Sequence, residues 1–263
     1  MQLSVQYWAN KMITIKTEDE IVLMRESCRL LSIVHDEMAE IIKPGISTLD
    51  IDRFGEALIL KLGGVPNFKN YQGFPASVCV SVNDEVVHGI PKADRILKEG
   101  DIVSLDCGLI YKGYHSDAAR TYPVGEASPD ALALIEATKQ SFFDGIKMAK
   151  DGGHLYDISN AIACSLLGNG YDGIVRDLTG HGIGTHLHEE PSIPNFAMNK
   201  KGPVLKKGMT LAIEPMVAIG TDEVEWLDDD WTVVTADGSW AAHYENTILI
   251  TEGEPEVLTL GQR

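Results

Sequence analysis

Five residues of this 263-residue chain have the types and surroundings of metal ligands: Asp106, Asp117, His181, Glu214 and Glu245. Asp106 ends the apolar run Ile102-Val103-Ser104-Leu105, and Asp117 lies in the next strand-like segment, beyond a turn at Tyr111-Lys112-Gly113. Glu214 closes Leu211-Ala212-Ile213, and Glu245 precedes Thr247-Ile248-Leu249-Ile250. A carboxylate among apolar strand residues is costly unless it is paired or bound to a cation. Four that converge cannot all stay ionised without compensation, which divalent cations supply. His181 sits in Gly180-His181-Gly182-Ile183-Gly184, where flanking glycines allow close approach of backbone and ring. One imidazole with four carboxylates is a hard, oxygen-rich donor set. It suits Mn, Fe(II) or Co better than the Cys- or His-rich sites of structural zinc.

These residues need elements to hold them. Thr17-Glu18-Asp19-Glu20 reads as a capping box that opens a helix, with Ile21, Met24, Cys28, Leu31 and Met38 at helical spacing and Lys43-Pro44-Gly45 as its end. A second helix starts near Thr48 and stops at Lys61-Leu62-Gly63-Gly64. Ser77 to Arg120 reads as strands. Ser128-Pro129 opens a third helix running to Asp151-Gly152-Gly153, and a fourth covers about Tyr156 to Leu167. Strands return after Gly180.

The order helix, helix, strands therefore occurs twice, and the words repeat with it. Lys43-x-Gly45 with Asp50-Ile51 matches Lys150-x-Gly152 with Asp157-Ile158; LKEGDIVSLD ends in Asp106 and LKKGMTLAIE in Glu214. These matches keep a separation of about 107 residues, whereas HSD (Asp117) and HYE (Glu245) are further apart. The expected organisation is a short tail, residues 1–11, then a single domain over 12–263 whose halves cover about 12–122 and 123–263. Any one of the five residues alone would be read as an ordinary turn or core residue. Their repeat-related placement points to metal. His35, His115, His154, His186 and His243 have no such support and are read as ordinary residues.

The bulk numbers bound the function. A net charge of −17 opposes nucleic-acid and anionic-membrane partners. Four scattered cysteines without a CxxC pair fit reduced thiols in a cytoplasmic protein, and no signal-peptide or membrane-length apolar run occurs.

The five-residue set, with VVHGIP at Val86 to Pro91, RDLTGHGIG at Arg176 to Gly184, HEEP at His188 to Pro191 and IEPM at Ile213 to Met216, resembles the methionine aminopeptidases. The resemblance runs from about Met12 to the C-terminal region. It implies the α/β (α+β) "pita-bread" fold of creatinases and aminopeptidases, with two pseudo-symmetric halves around a mainly antiparallel sheet. It also implies two divalent ions (Co, Mn or Fe(II) rather than Zn). Asp117 and Glu245 would bridge them, Asp106 would chelate one, and His181 and Glu214 would complete the other. The implied nucleophile is a water activated between the metals, with Glu214 as general base and then acid. His188 would polarise the scissile carbonyl, and His88 would contact the scissile amide nitrogen or the following residue. Tyr71, Phe74, Cys79 and Trp231 carry over as the methionine pocket; aromatic faces and a soft sulfur suit a thioether. Thr185 and Leu187 depart from the Arg and Phe that many relatives carry.

The implied substrate is the N-terminal methionine of a nascent polypeptide with a small second residue. The expected form is the short type I enzyme, a cytoplasmic monomer working near the ribosome. Two rivals are an Xaa-Pro peptidase of the same fold and a non-catalytic peptide-binding module. The large N-terminal domain usual in the first is not expected here, and a degenerate second would have lost ligands.

Overall fold

The computed structural model describes residues 12–261. The expected tail, residues 1–11, lies outside the described residues. Helix α1, Glu18–Ala39, opens on the capping box: the Thr17 side chain accepts from the Glu20 amide, and the Glu20 side chain accepts from the Thr17 amide. It stops at Ala39, four residues before Lys43, because the chain turns through residues 40–45 to reach the next N-cap. Ser47 caps α2, Thr48–Lys61. Ser128 caps α3, Pro129–Ile146, with proline where no amide partner is needed; α4 is Leu155–Gly168. α3 ends five residues short of Asp151, for the same reason as α1.

A nine-stranded sheet carries the candidate ligands. Its central path runs Ile102–Tyr111, Tyr114–Pro123, Glu245–Leu249, Thr210–Ile213, Gly180–Gly182, and every pairing along it is antiparallel. Val78–Val82 flanks Ile102–Tyr111 on the other side. The first two strands form a tight hairpin whose turn residues, Lys112 (φ 48°) and Gly113 (φ 86°), are both left-handed, as a two-residue hairpin of native twist requires.

The two halves repeat the same backbone bonds. Gly45 N donates to Leu97 O (2.8 Å) and Gly152 N to Leu205 O (2.9 Å). Gly100 N donates to Val124 O (2.9 Å) and Gly208 N to Ile250 O (3.0 Å). Isolated bridges join Ser47 to Ile96 and His154 to Val204. The repeat legible in the sequence is thus a repeat of turns that tie each helix pair to its strands.

Strand alternation assigns the faces. Val103, Leu105, Cys107 and Leu109 pack with Leu31, Val34 and Met38 of α1 and Ile51 and Ile59 of α2. In the second half Leu211, Ile213 and Ile248 pack with Leu134 and Phe142 of α3 and Ile158 and Ile162 of α4. The intervening residues Ser104, Asp106, Asp117, Ala119, Ala212, Glu245 and Thr247 take the opposite face. The helices therefore fill one face of the sheet with hydrocarbon and leave the polar set on the other. Among the described residues no helix is long and apolar enough to cross a membrane.

Gly108, registered opposite Asp117, has no room for a side chain: an added Cβ would lie 2.3 Å from Ser116 O and 2.5 Å from the Asn67 amide. Gly108→Ala is expected to cost about 1–3 kcal/mol by overpacking. An unchanged urea midpoint would contradict this account of the hairpin.

Candidate metal centre

The sheet register builds the site. Ala119 pairs with Asp106 on one side and Glu245 on the other, and Asp117 lies two residues away on the same face. The methyl of Ala119 thus stands between Asp106 and Glu245 in the register. His181 pairs with Ala212, two residues before Glu214. Its counterpart in the first half, by register, is Ser81, which pairs with Ser104 two residues before Asp106. Each half supplies two carboxylates, but only one supplies an imidazole.

Single ligand atoms of Asp117, His181 and Glu245 all lie within 4.8 Å of one another. His181 Nε2 is 3.8 Å from Asp117 Oδ2 and 3.6 Å from Glu214 Oε1. Asp106 joins the group through register and charge, since its carboxylate acts on Asp117, Glu214 and Glu245 alike. Asp106 Oδ1, Asp117 Oδ1 and Glu245 Oε1 are buried without a hydrogen-bond partner among the described residues. Orphaned, inward-facing carboxylate oxygens are what an oxygen-rich cation site requires. The residues present fit divalent cations.

Electrostatics agrees. Desolvation pushes the Asp106 carboxyl up to about 8. Burial, then the charges of Asp106 and Glu214, hold Asp117 well above the usual carboxylate range. Burial and Asp106 raise Glu214; burial, Asp117, Glu214 and Asp106 raise Glu245. His181 is driven down to about 4 by burial and is neutral at pH 7. Its Nδ1 lies 2.9 Å from Gly182 O. A carbonyl only accepts, so Nδ1 carries the proton and Nε2 keeps a lone pair facing Asp117 and Glu214.

The other expected residues surround this cluster. Tyr71, Phe74, Cys79 and Trp231 share one apolar cluster with Leu187 and Ile183. Phe74 and Trp231 meet edge to face with ring centroids 5.1 Å apart, and burial pushes the Cys79 thiol up, leaving it a neutral, soft surface. Leu187, at the departure from the common pattern, is 2% exposed and forms part of that wall. Thr185 is exposed and within 3.5 Å of Glu189 Oε1. His88 has φ 59°, an uncommon left-handed conformation for a non-glycine residue, and its ring stands 6.1 Å from Trp231. The His188 ring lies 4.4 Å from that of His181, and its Nδ1 is 2.7 Å from the Tyr71 hydroxyl.

Sequence reasoning missed several contacts, of which only that of His243, in the HYE motif, had a signal nearby. His243, read as ordinary, is buried with Nε2 3.8 Å from Glu214 Oε2. Lys16 pairs with Glu189 at 2.7 Å, both side chains almost fully buried, and clamps the segment that carries His188. Thr14 hydrogen-bonds both members of that pair. Arg120 donates to the carbonyls of Ala119 and Glu245 and to Asn246 Oδ1, stitching the seam between the halves directly behind the carboxylates.

Comparison with known proteins matches this geometry. A profile of metallopeptidase family M24 covers residues 22–252. The chain belongs to that metallopeptidase family. It is 51% identical over 249 residues to the methionine aminopeptidase of Clostridium acetobutylicum, covering 95% of this chain and 99% of that one. It is 50% identical to methionine aminopeptidase 1 of Bacillus subtilis, covering 94% and 99%. The crystal structure of methionine aminopeptidase from Thermotoga maritima superposes with a TM-score of 0.92 at 44% identity, covering 95% of this chain and 100% of that one. The expected pita-bread architecture and its mainly antiparallel sheet are those of these relatives.

Two expectations follow. Carboxyls with raised folded-state pKa keep protons that the unfolded chain releases, so their contribution to stability is lost as pH rises toward the folded pKa. The buried histidines shift the opposite way but are neutral in both states above about pH 7. Between pH 7 and 8 the metal-free protein should therefore lose stability with rising pH, on the order of 1 kcal/mol per unit for each carboxyl that still holds its proton. Divalent metal should flatten that slope; urea titrations of both forms at two pH values check this. Separately, Lys16→Ala leaves Glu189 buried and unpaired and should cost about 3–5 kcal/mol, read from its urea midpoint.

Proposed function

We propose that this chain is a dimetal methionyl aminopeptidase that removes the initiator methionine from nascent polypeptides whose second residue is small. The observation that carries the reading is the adjacency of two unlike surfaces. Three buried carboxylates, the partly buried Glu214 and a neutral histidine face an apolar cluster of Tyr71, Phe74, Cys79, Leu187 and Trp231.

Asp106, Asp117, His181, Glu214 and Glu245 would hold two divalent ions, and bound ions supply a water acidic enough to act as nucleophile near neutral pH. The rest falls to the chain itself. Glu214 stands one residue past the strand Thr210–Ile213, and its side chain is 14% exposed against 5% for Asp117. It is the carboxylate best placed to take a proton and return it to the leaving amine. His188 donates to the scissile carbonyl oxygen and stabilises the tetrahedral oxyanion. His88, held at its strained φ beside Trp231, contacts the scissile amide nitrogen or the residue after methionine. The apolar cluster takes the thioether side chain; a leucine at 187 gives that wall a flexible aliphatic surface in place of an aromatic face. A bulky second residue is excluded by collision with the ligand-bearing strands.

The single nine-stranded sheet supports one domain over residues 12–263 with halves meeting near residue 122. The oxygen-rich donor set supports Mn, Fe(II) or Co over Zn. A monomer working in the cytoplasm, close to the ribosome, completes the reading; the net charge of −17 opposes nucleic acid or an anionic membrane as partner.

The test is release of methionine from a Met-Ala-Ser peptide by chelator-treated protein before and after adding Co(II), Mn(II) or Fe(II), with Leu-Ala-Ser and Ala-Pro-Ser alongside. Metal-restored release from Met-Ala-Ser alone is expected. Release from Ala-Pro-Ser instead would make it an Xaa-Pro peptidase, and metal binding without release would make it a binding module. Glu214→Gln should lower kcat at least about 100-fold while the fold is retained; near-normal turnover would overturn its assignment as base.

A further inference from the structure

Tyr71 and His188 are 117 residues apart in sequence, yet the Tyr71 hydroxyl oxygen lies 2.7 Å from His188 Nδ1. The approach is imposed from both sides. Tyr71 is flanked by Asn70 (φ 66°) and Gln72 (φ 48°), two non-glycine residues in the left-handed region. Its segment is closed by the bonds Asn70 N to Phe74 O (2.8 Å) and Phe74 N to Tyr71 O (2.9 Å). Strained backbone of this kind persists where surrounding contacts over-determine it. The His188 ring cannot swing away freely. It stands against the His181 ring at 68°, between the buried Leu187 and the Glu189–Lys16 clamp.

A neutral imidazole has one N–H and one lone pair, so the partner of one nitrogen fixes the role of the other. If the phenol donates to Nδ1, the proton sits on Nε2. If Nδ1 donates to the phenol, Nε2 presents a lone pair. The first arrangement fits the surroundings. Burial raises the phenol and keeps it protonated. A phenolic O–H is a stronger donor than an imidazole N–H, and a neutral imidazole nitrogen is a stronger acceptor than a phenol oxygen, so across 2.7 Å the hydroxyl donates and Nδ1 accepts.

We propose that Tyr71 is a positioning residue that locks His188 as the Nε2–H tautomer. The proposal rests on the reading of His188 as the donor to the scissile carbonyl. It gives that reading a cause and adds a second consequence. An imidazole whose ring is 4.4 Å from that of a candidate ligand would itself compete for metal through a free Nε2 lone pair. Protonating Nε2 removes that lone pair, so His188 does not compete for metal. Tyr71 thus does more than line the methionine pocket: it separates the histidine that binds metal, His181, from the one that does not.

The test compares wild-type protein with Tyr71→Phe, which keeps the ring and its packing and removes only the hydroxyl. Histidine-labelled protein is examined by long-range nitrogen–proton NMR in the metal-free state, with the His188 signals identified by their loss in His188→Gln. Wild type should show a protonated Nε2 and an unprotonated Nδ1; Tyr71→Phe should show a mixture of tautomers. On Met-Ala-Ser the variant should lose about 10–100-fold in kcat, as removal of an orienting partner does, with KM nearly unchanged. A proton on Nδ1 in wild type, or the same tautomer in both proteins, would overturn the proposal. Because the NMR reads the tautomer without turnover, a locked Nε2–H in a protein that releases no methionine would sink the functional reading and leave the lock standing.

Discussion

The arrangement depends on one unfavourable interaction: four carboxylates placed in a desolvated layer within reach of one another. Burial alone pushes Asp106 to about 8, and each of the other three is raised further by its neighbours. Such a cluster is costly in a bare protein and cheap around cations. The chain tolerates it because everything behind it is rigid. Two helix pairs pack hydrocarbon against the far side of the strands that bear the acids. Arg120 crosses the seam behind Glu245, where the two halves share only a short register of paired residues. A small residue, Ala119, lies between Asp106 and Glu245 where a larger one would fill the space between them.

The internal repeat makes the acids possible, and its breakdown makes the site directional. Asp106 and Glu214 occupy equivalent positions of the repeat, but the register that gives the second half His181 gives the first half Ser81. The apolar cluster draws on Tyr71, Phe74 and Cys79 of the first half and on Leu187 and Trp231 of the second. A symmetric scaffold thus carries a neutral imidazole on one side only. Under the proposed reading, two ions held there would meet unlike donors, as a base that must take a proton in one step and return it in the next would need.

Much of this was legible in the sequence because it is local or periodic. The cap at Thr17, the helix starts near Thr48 and at Ser128-Pro129, the turn at Lys112-Gly113, and the strand through Ile102 to Leu109 follow from side-chain and backbone chemistry a few residues wide. The carboxylates were legible through the repeat. Helix ends were read too far along, at Lys43 and Asp151, because a Gly-containing turn marks where the chain redirects and not where the last helical bond forms. The contacts that escaped are those between distant segments. Lys16 and Glu189 are 173 residues apart, and nothing near either announces a buried pair. His243 was set aside although it lies two residues before Glu245. At Tyr244 the chain passes from a three-stranded sheet, where His243 pairs with Met216, into the large one, and that switch aims His243 at Glu214.

The central claim is that divalent cations relieve the mutual repulsion of these carboxylates. The most direct measurement is a calorimetric titration of metal-free protein with Co(II) or Mn(II) at pH 7, run in two buffers of different ionisation enthalpy. Carboxyls that hold protons in the empty cluster must release them on binding, so the account predicts saturation at about two ions per chain with net proton release. Asp117→Asn should diminish both. Tight binding with no proton release, or binding unaffected by that substitution, would contradict it.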